Sequence, residues 1–179
     1  MSYINGEKVA LSSNLNIIGG NRDKFRKFID GSITKLTAED LNEVSSIGDY
    51  AFMWYENLTS ITIPSNITRI GDYAFSECRN LISVIIEEGV TYIGDYVFSG
   101  VVNSNQIKSI TYPSTVTEIG IMNHASIESM TVLAKTPPIC ESVYLPSGAT
   151  IYIPAGTLEV YKRASGWSEY SDYLVELSE

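Results

Sequence analysis

One hexapeptide decides most of what this chain can become. Ile-Gly-Asp-Tyr-Ala-Phe fills positions 47–52 and returns at 70–75, and Ile-Gly-Asp-Tyr-Val-Phe follows at 93–98. The starts at Ile47, Ile70 and Ile93 are evenly spaced. A fixed period within the range of about 20–50 residues marks units that cannot bury their own apolar side, so successive units must stack into one continuous core. A fourth, eroded copy starts at Ile119-Gly120, later than the period requires, and the surplus falls in the loop 100–106. A pre-repeat from Ile33 to Ile47 fits if two residues are inserted before Val44.

Each copy is preceded by a short strand signal, at residues 58–64, 81–86 and 107–113, with weaker versions at 127–132 and 151–154. Within the unit 58–80, Ile61 and Ile63 alternate with Ser60 and Thr62, the period of a strand with one buried face. Pro64 cannot donate to a ladder and marks the strand's end. Gly71 then supplies a turn, and Asp72 is placed to cap a short helical turn over 73–78. Stacking makes a column of Ile61, Val84 and Ile110. The 22 Ile against 11 Leu, and the 12 Tyr, agree with strands rather than helices.

A strand, a Pro, Val/Ile-Thr-x-Ile-Gly and then Ala-Phe-x-x-Cys within one period resembles the BspA-type leucine-rich repeat family of bacteria, and residues 61–78 are a nearly complete copy. The C-terminal motifs Ala134-Lys135-Thr136-Pro137-Pro138, Ile151-Tyr152-Ile153-Pro154-Ala155-Gly156, Val160-Tyr161-Lys162 and Trp167-Ser168-Glu169-Tyr170 are similar to the module that ends many members. The resemblance spans residues 33–179. It implies an α/β fold: a right-handed leucine-rich repeat solenoid with short parallel strands on the concave face, short helical turns on the convex face, and terminal caps. It also implies a protein-binding or adhesive role at a cell surface, and so an extracellular setting.

The expected organisation is one structural domain. Residues 1–32 form an N-terminal cap, 33–133 the repeats, and 134–179 a last repeat and cap. Asn5-Gly6 between apolar residues reads as a two-residue hairpin. Residues 21–30 carry Phe25, Phe28 and Ile29 at helical spacing, with Gly31 as a stop. Residues 157–163 and 167–177 read as short helices with buried aromatics.

Charge and rare residues exclude several functions. Lys plus Arg is 12 and Asp plus Glu 21, a net charge of −9, so the cation excess needed for phosphate backbones or anionic membranes is missing. No apolar stretch approaches the roughly 20 residues that span a bilayer, and residues 1–20 do not read as a secretory leader. The expected partner is a protein or glycan, with no nucleic acid and no membrane insertion. One His and two Cys leave little for zinc, disulfides or His-based catalysis. No nucleotide-, metal- or hydrolase-type motif occurs, so no enzyme activity and no cofactor are expected.

The remaining chemistry-bearing residues have plain readings. His124 is either a lone base or ligand, or a loop residue replacing the helical turn; the second is preferred. Cys78 and Cys140 are far apart in the chain and read as buried free thiols. Asp49, Asp72 and Asp95 form a column that supplies calcium poorly, one carboxylate per unit, and suits capping better. Tyr50, Tyr73 and Tyr96 read as half-exposed packing, or else as contact residues. Glu87-Glu88 and Glu39-Asp40 read as solvated loop charges.

The concave face can be written down by alternation: Lys35 and Thr37, Ser60 and Thr62, Ser83 and Ile85, Ser109 and Thr111, Ser129 and Thr131, Thr150 and Tyr152. These hydroxyls either pair across strands or present a neutral, hydrogen-bonding platform. The corresponding functions are a recognition or adhesion module using this face, or a structural or assembly component, such as one associated with a prophage virion, without a soluble ligand.

Overall fold

The computed structural model describes residues 2–4, 7–9, 34–42, 44–100, 107–124 and 127–178. The expected Asn5-Gly6 turn, the helix at 21–30 and the loop 101–106 lie outside the described residues. β1 (Ser2–Ile4) and β2 (Glu7–Val9) pair antiparallel, Ile4 opposite Glu7. The remaining strands pair parallel, because a whole coil of chain separates each from its neighbour.

Each coil lays down a strand of a main sheet, turns a corner, and lays down a two-residue strand of a second sheet. The first three coils contribute β3 (Lys35–Leu36) and β4 (Ser46–Ile47), β5 (Ser60–Ile63) and β6 (Arg69–Ile70), then β7 (Ser83–Ile86) and β8 (Tyr92–Ile93). The fourth adds β9 (Ser109–Tyr112), β10 (Glu118–Ile119) and β11 (Met122–Asn123). The fifth adds β12 (Ser129–Val132), β13 (Ile139–Cys140) and β14 (Val143–Tyr144). β15 (Thr150–Ile153), helix α1 (Leu158–Arg163) and β16 (Leu174–Glu176) close the chain.

In-register stacking builds the core. Ile61 lies opposite Leu36 and Val84, and Ile70 opposite Ile47 and Ile93. Leu36, Ile61, Ile63, Ile67, Ile70 and Phe75 are all buried. Phe52, Phe75 and Phe98 stack as an internal ladder with centroids 5.2 and 5.7 Å apart.

The convex side corrects an expectation. Residues 49–54 and 72–77 are runs of tight turns, not helical turns. Their N–H groups alternate in destination. Tyr50, Phe52 and Trp54 donate to Asp72, Ala74 and Ser76 of the next coil, while Ala51, Met53 and Tyr55 donate back to Gly48, Tyr50 and Phe52. A helix would spend all of these bonds within one coil. The turns instead place left-handed residues after each Asp, at Tyr50 (φ 58°), Tyr73 (φ 54°) and Tyr96 (φ 54°). Such a conformation costs a bulky residue about 1–3 kcal/mol. Tyr50, Tyr73 and Tyr96 stack at 5.1 Å, an offset of about 0.5–1.5 kcal/mol per pair.

Asp72 does not cap its own turn. Its Oδ1 accepts the Asp95 N–H of the next coil at 3.0 Å, just as Asp49 Oδ1 accepts Asp72 N–H and Asp95 Oδ1 accepts Ile121 N–H. Gly71 is needed for this approach rather than for a turn: a Cβ there would run into the Asp49 carboxylate and backbone.

Three further differences follow from the fourth coil onward. The main sheet is not continuous: β3-β5-β7 and β9-β12-β15-β16 are separate, while β4-β6-β8-β10-β13 runs unbroken. Ile61, Val84 and Ile110 still pack into one core across this break, but Val84 is only half-buried. β11 and β14 pair where the earlier coils have tight turns. Finally, residues 174–176 are strand β16 against β15, not helix, with only a 3₁₀ turn (Ser168–Tyr173) before it. Tyr161 and Trp167 are buried as expected, donating to the carbonyls of Ala134 (2.6 Å) and Pro138 (2.8 Å).

Candidate functional site: the main-sheet face

The outward residues of the main sheet fall into two rows. Lys35, Ser60 and Ser83 stand side by side, and beyond the interruption Ser109, Ser129 and Thr150 continue the row. The second row holds Thr62 and Ile85, then Thr111, Thr131, Tyr152 and, from a strand the sequence did not reveal, Val175. All are at least partly exposed. Thr37 departs from the row: its hydroxyl and N–H both donate to Asp40 Oδ2, at 2.8 and 3.0 Å, closing a 3₁₀ turn. Asp40 is correspondingly buried rather than solvated.

Among the described residues, the hydroxyls of Ser60, Thr62, Ser83, Ser109, Thr111, Ser129, Thr131 and Thr150 make no side-chain hydrogen bond within the chain. Hydroxyls elsewhere behave differently. Thr68, Thr91 and Thr117 each donate to a carbonyl of the preceding coil, and Ser76 pairs with Ser99 at 2.9 Å. Cross-strand pairing therefore does not occupy the rows, and their donors and acceptors face solvent. Past Lys35 the rows hold no charge. The Lys108–Glu128 pair, 3.1 Å apart, lies at their margin.

The interruption carries the apolar part of this face. Ile85 is 54% exposed, where β5, β9 and β12 have Thr62, Thr111 and Thr131. Ile82, just before β7, is 57% exposed, where the fourth and fifth coils have the charged Lys108 and Glu128. Two exposed isoleucines thus flank a half-buried Val84 at the point where the ladder opens.

Other candidates resolve into structure. His124 is buried just after β11, and its Nε2 is 2.8 Å from the Tyr112 hydroxyl. It replaces the tight turn as expected, but inside the core. Burial depresses its pKa to about 4 and raises that of Tyr112. Cys78 and Cys140 are buried free thiols pushed up to about 12 by burial, so neither is a ready nucleophile. Tyr73 is raised by burial and then by its Tyr and Asp neighbours. The paired glutamates are not idle charges. Glu87 accepts Ser65 N–H, and Glu88 accepts Ser114 N–H, Ser114 Oγ and Thr115 N–H, bonds that hold its pKa low. Among the described residues no three His, Cys, Asp or Glu side chains form a metal-ligand set, and no helix is long and apolar enough to cross a membrane.

Sequence reasoning missed the second sheet's outer row of Ser46, Arg69, Tyr92, Glu118 and Ile139. Arg69 lies over the Tyr92 ring at 3.7 Å. The only trace was a polar residue before the buried Ile of each copy, Arg69-Ile70 and Tyr92-Ile93, in too few residues to read as a strand.

Comparison with known proteins is consistent across two levels. A family model described as "BspA type Leucine rich repeat region" matches residues 21–147 in 6 copies. Among solved structures, a leucine-rich repeat protein from Eubacterium ventriosum is similar at 21% identity and TM-score 0.51, over 77% of this chain and 39% of its own. One from Bacteroides ovatus is 22% identical with TM-score 0.35, over 62% of this chain and 43% of its own. This chain therefore spans under half the length of either. No curated protein matches.

Proposed function

This chain belongs to the BspA-type leucine-rich repeat family, and we propose that it is a non-enzymatic module that binds a protein or glycan through its main-sheet face and adjacent loops. Proteins of this family are generally interaction or adhesion modules. The single observation that carries the reading is the row of hydroxyls with no side-chain partner among the described residues. A parallel sheet needs no such array for its own stability, and a neutral ligand rich in amides or hydroxyls complements it. The exposed Ile82 and Ile85 add an apolar centre of the kind that dominates binding energy at interfaces. A single cation on the rows, Lys35, is too little for a phosphate backbone and disfavours nucleic acid.

Size constrains the mode. Seven strands at ~4.8 Å and about 15 Å of strand length give roughly 400 Å², half the ~800 Å² per partner of a standard interface. Tight one-to-one binding needs flanking loops, and otherwise affinity comes from multivalent display. Within this reading the chain is one domain, with 1–32 proposed as an N-terminal cap, 33–133 as repeats and 134–179 as a last repeat and cap.

Wild type and a variant with Ser60, Thr62, Ser109 and Thr111 changed to Lys are compared on a glycan array and in cross-linking pull-downs. The expected result is a ligand retained by wild type and lost by the variant. A ligand held equally by both overturns the assignment to this face.

A further inference from the structure

A groove of about 620 Å³ lies at the corner between the fourth and fifth coils, away from the main-sheet rows. This is within the roughly 300–1,000 Å³ of small-ligand sites. Its origin is local. Residues 64–68, 87–91 and 113–117 link the two sheets in coils two to four, whereas the fifth coil uses 133–138, one residue longer and with two prolines. Earlier corners are tied to each other by Glu87 and Glu88. Between 113–117 and 133–138 the backbone bonds sit only at the two ends, Leu133 N–H to Tyr112 O and Ile139 N–H to Thr117 O. The corner opens between them.

The lining is apolar with one cation. Val116, Leu133, Pro137 and Ile139 form the apolar part, and Ile139 is 73% exposed. Lys135 is the only charged residue of the lining. Arg79, Lys108, Lys162 and Arg163 each face a carboxylate, but among the described residues Lys135 has none. The nearest acid by register is Glu118, beside Ile139 on the second sheet and outside the lining. The N–H groups of Lys135 and Thr136 likewise have no acceptor among the described residues.

We infer that this groove binds the C-terminal end of a peptide: its carboxylate on Lys135 and the adjacent N–H groups, its aliphatic last side chains over Val116, Leu133 and Ile139. The charge pattern favours a monoanion, because Lys135 is the one charged group of the lining and has no carboxylate among the described residues. A peptide suits it better than a fatty carboxylate, because the Thr136 hydroxyl, left over once the carboxylate has taken the N–H groups, finds a partner on a peptide backbone and none on an alkyl tail. The site is independent of the main-sheet reading.

The test is an amide-resolved NMR titration of the full ¹⁵N-labelled chain with acetyl-Ala-Leu-Leu as free acid, with its C-terminal amide, and with octanoate. The free acid is expected to shift residues 114–117 and 133–139 saturably, and the amide to bind roughly tenfold more weakly. Lys135→Gln, at an exposed position, is expected to bring the acid down to the amide's level. Ile139→Ser, also exposed, is expected to weaken both. The proposal is overturned by no saturable shift at these residues, by equal binding of acid and amide, or by octanoate binding as well as the peptide.

Discussion

The first three coils and the last three solve the same stacking problem in different ways. Coils one to three are near copies, and identical residues fall at identical heights. They build a Phe ladder, a Tyr ladder and an Asp-to-backbone ladder, each side chain meeting its own kind one coil away. From the fourth coil the copies erode: the Phe and Tyr ladders stop, and the Asp ladder makes its last bond where Asp95 accepts the Ile121 N–H. β11 and β14 replace the tight turns, the His124–Tyr112 pair fills the space after Phe98, and Tyr161 and Trp167 anchor the end. Repetition yields regularity and little else. The interruption of the main sheet, the buried titratable pair and the groove all lie where repetition fails.

The largest test of this contrast removes one ladder rung. Phe75→Ala is expected to cost about 3–5 kcal/mol in urea unfolding, since the ring is fully buried between two others. Trp54 and Trp167 report on the two halves. Because β8 and β10 pair across the interruption, both signals are expected to shift together; separate transitions would show two independent blocks.

The second test uses pH. His124 has a folded pKa of about 4 against an ordinary 6.5, so the unfolded chain takes up the proton first. Its contribution is complete above about pH 6.5 and is lost as pH falls toward 4, on the order of 3 kcal/mol in all. His124→Phe is expected to flatten that part of the stability profile. A wild-type profile already flat over this range would remove the buried neutral His from the account. Glu88, exposed and held low by Ser114, adds a smaller loss in the same direction at more acid pH.

Close approach within the regular coils gives the third test. Gly71→Ala is expected to destabilise by about 1–3 kcal/mol, because Asp49 occupies the space of the new Cβ. Gly148→Ala, in open space with φ +87°, carries only the backbone cost of about 1 kcal/mol. Equal losses would mean that coil spacing adjusts freely. The smallest effect is kinetic. Ser83 and Ser129 donate to Thr59 and Lys108 of the preceding coils, but Ser109 has no such bond among the described residues. Its amide is expected to exchange at least about tenfold faster than theirs, and matched rates would close the interruption.

Much of this molecule was legible in the residues. The main-sheet strands at 60–63, 83–86, 109–112, 129–132 and 150–153 followed from alternation, whereas the two-residue strands of the second sheet and β16 did not, and the prolines at 64, 113 and 154 marked where strands stop. The outward residues of these strands followed as well, but Val175 was missed with its strand and Thr37 left the row, because alternation fixes which side a residue faces but not what a neighbouring Asp40 will bond. Asp72 was placed at the right position for the wrong partner: a cap within the coil and a bond to the next coil leave the same trace in sequence.

What the sequence determined by itself is the stacking, because a fixed period with apolar positions in register has no other way to bury them. The tertiary structure alone decided where the stack departs from its own rule. Whether β7 and β9 pair, whether residues 174–176 join the sheet, and whether the corner at 133–138 opens all depend on contacts between distant parts of the chain. Such contacts leave no periodic signal, since each occurs once.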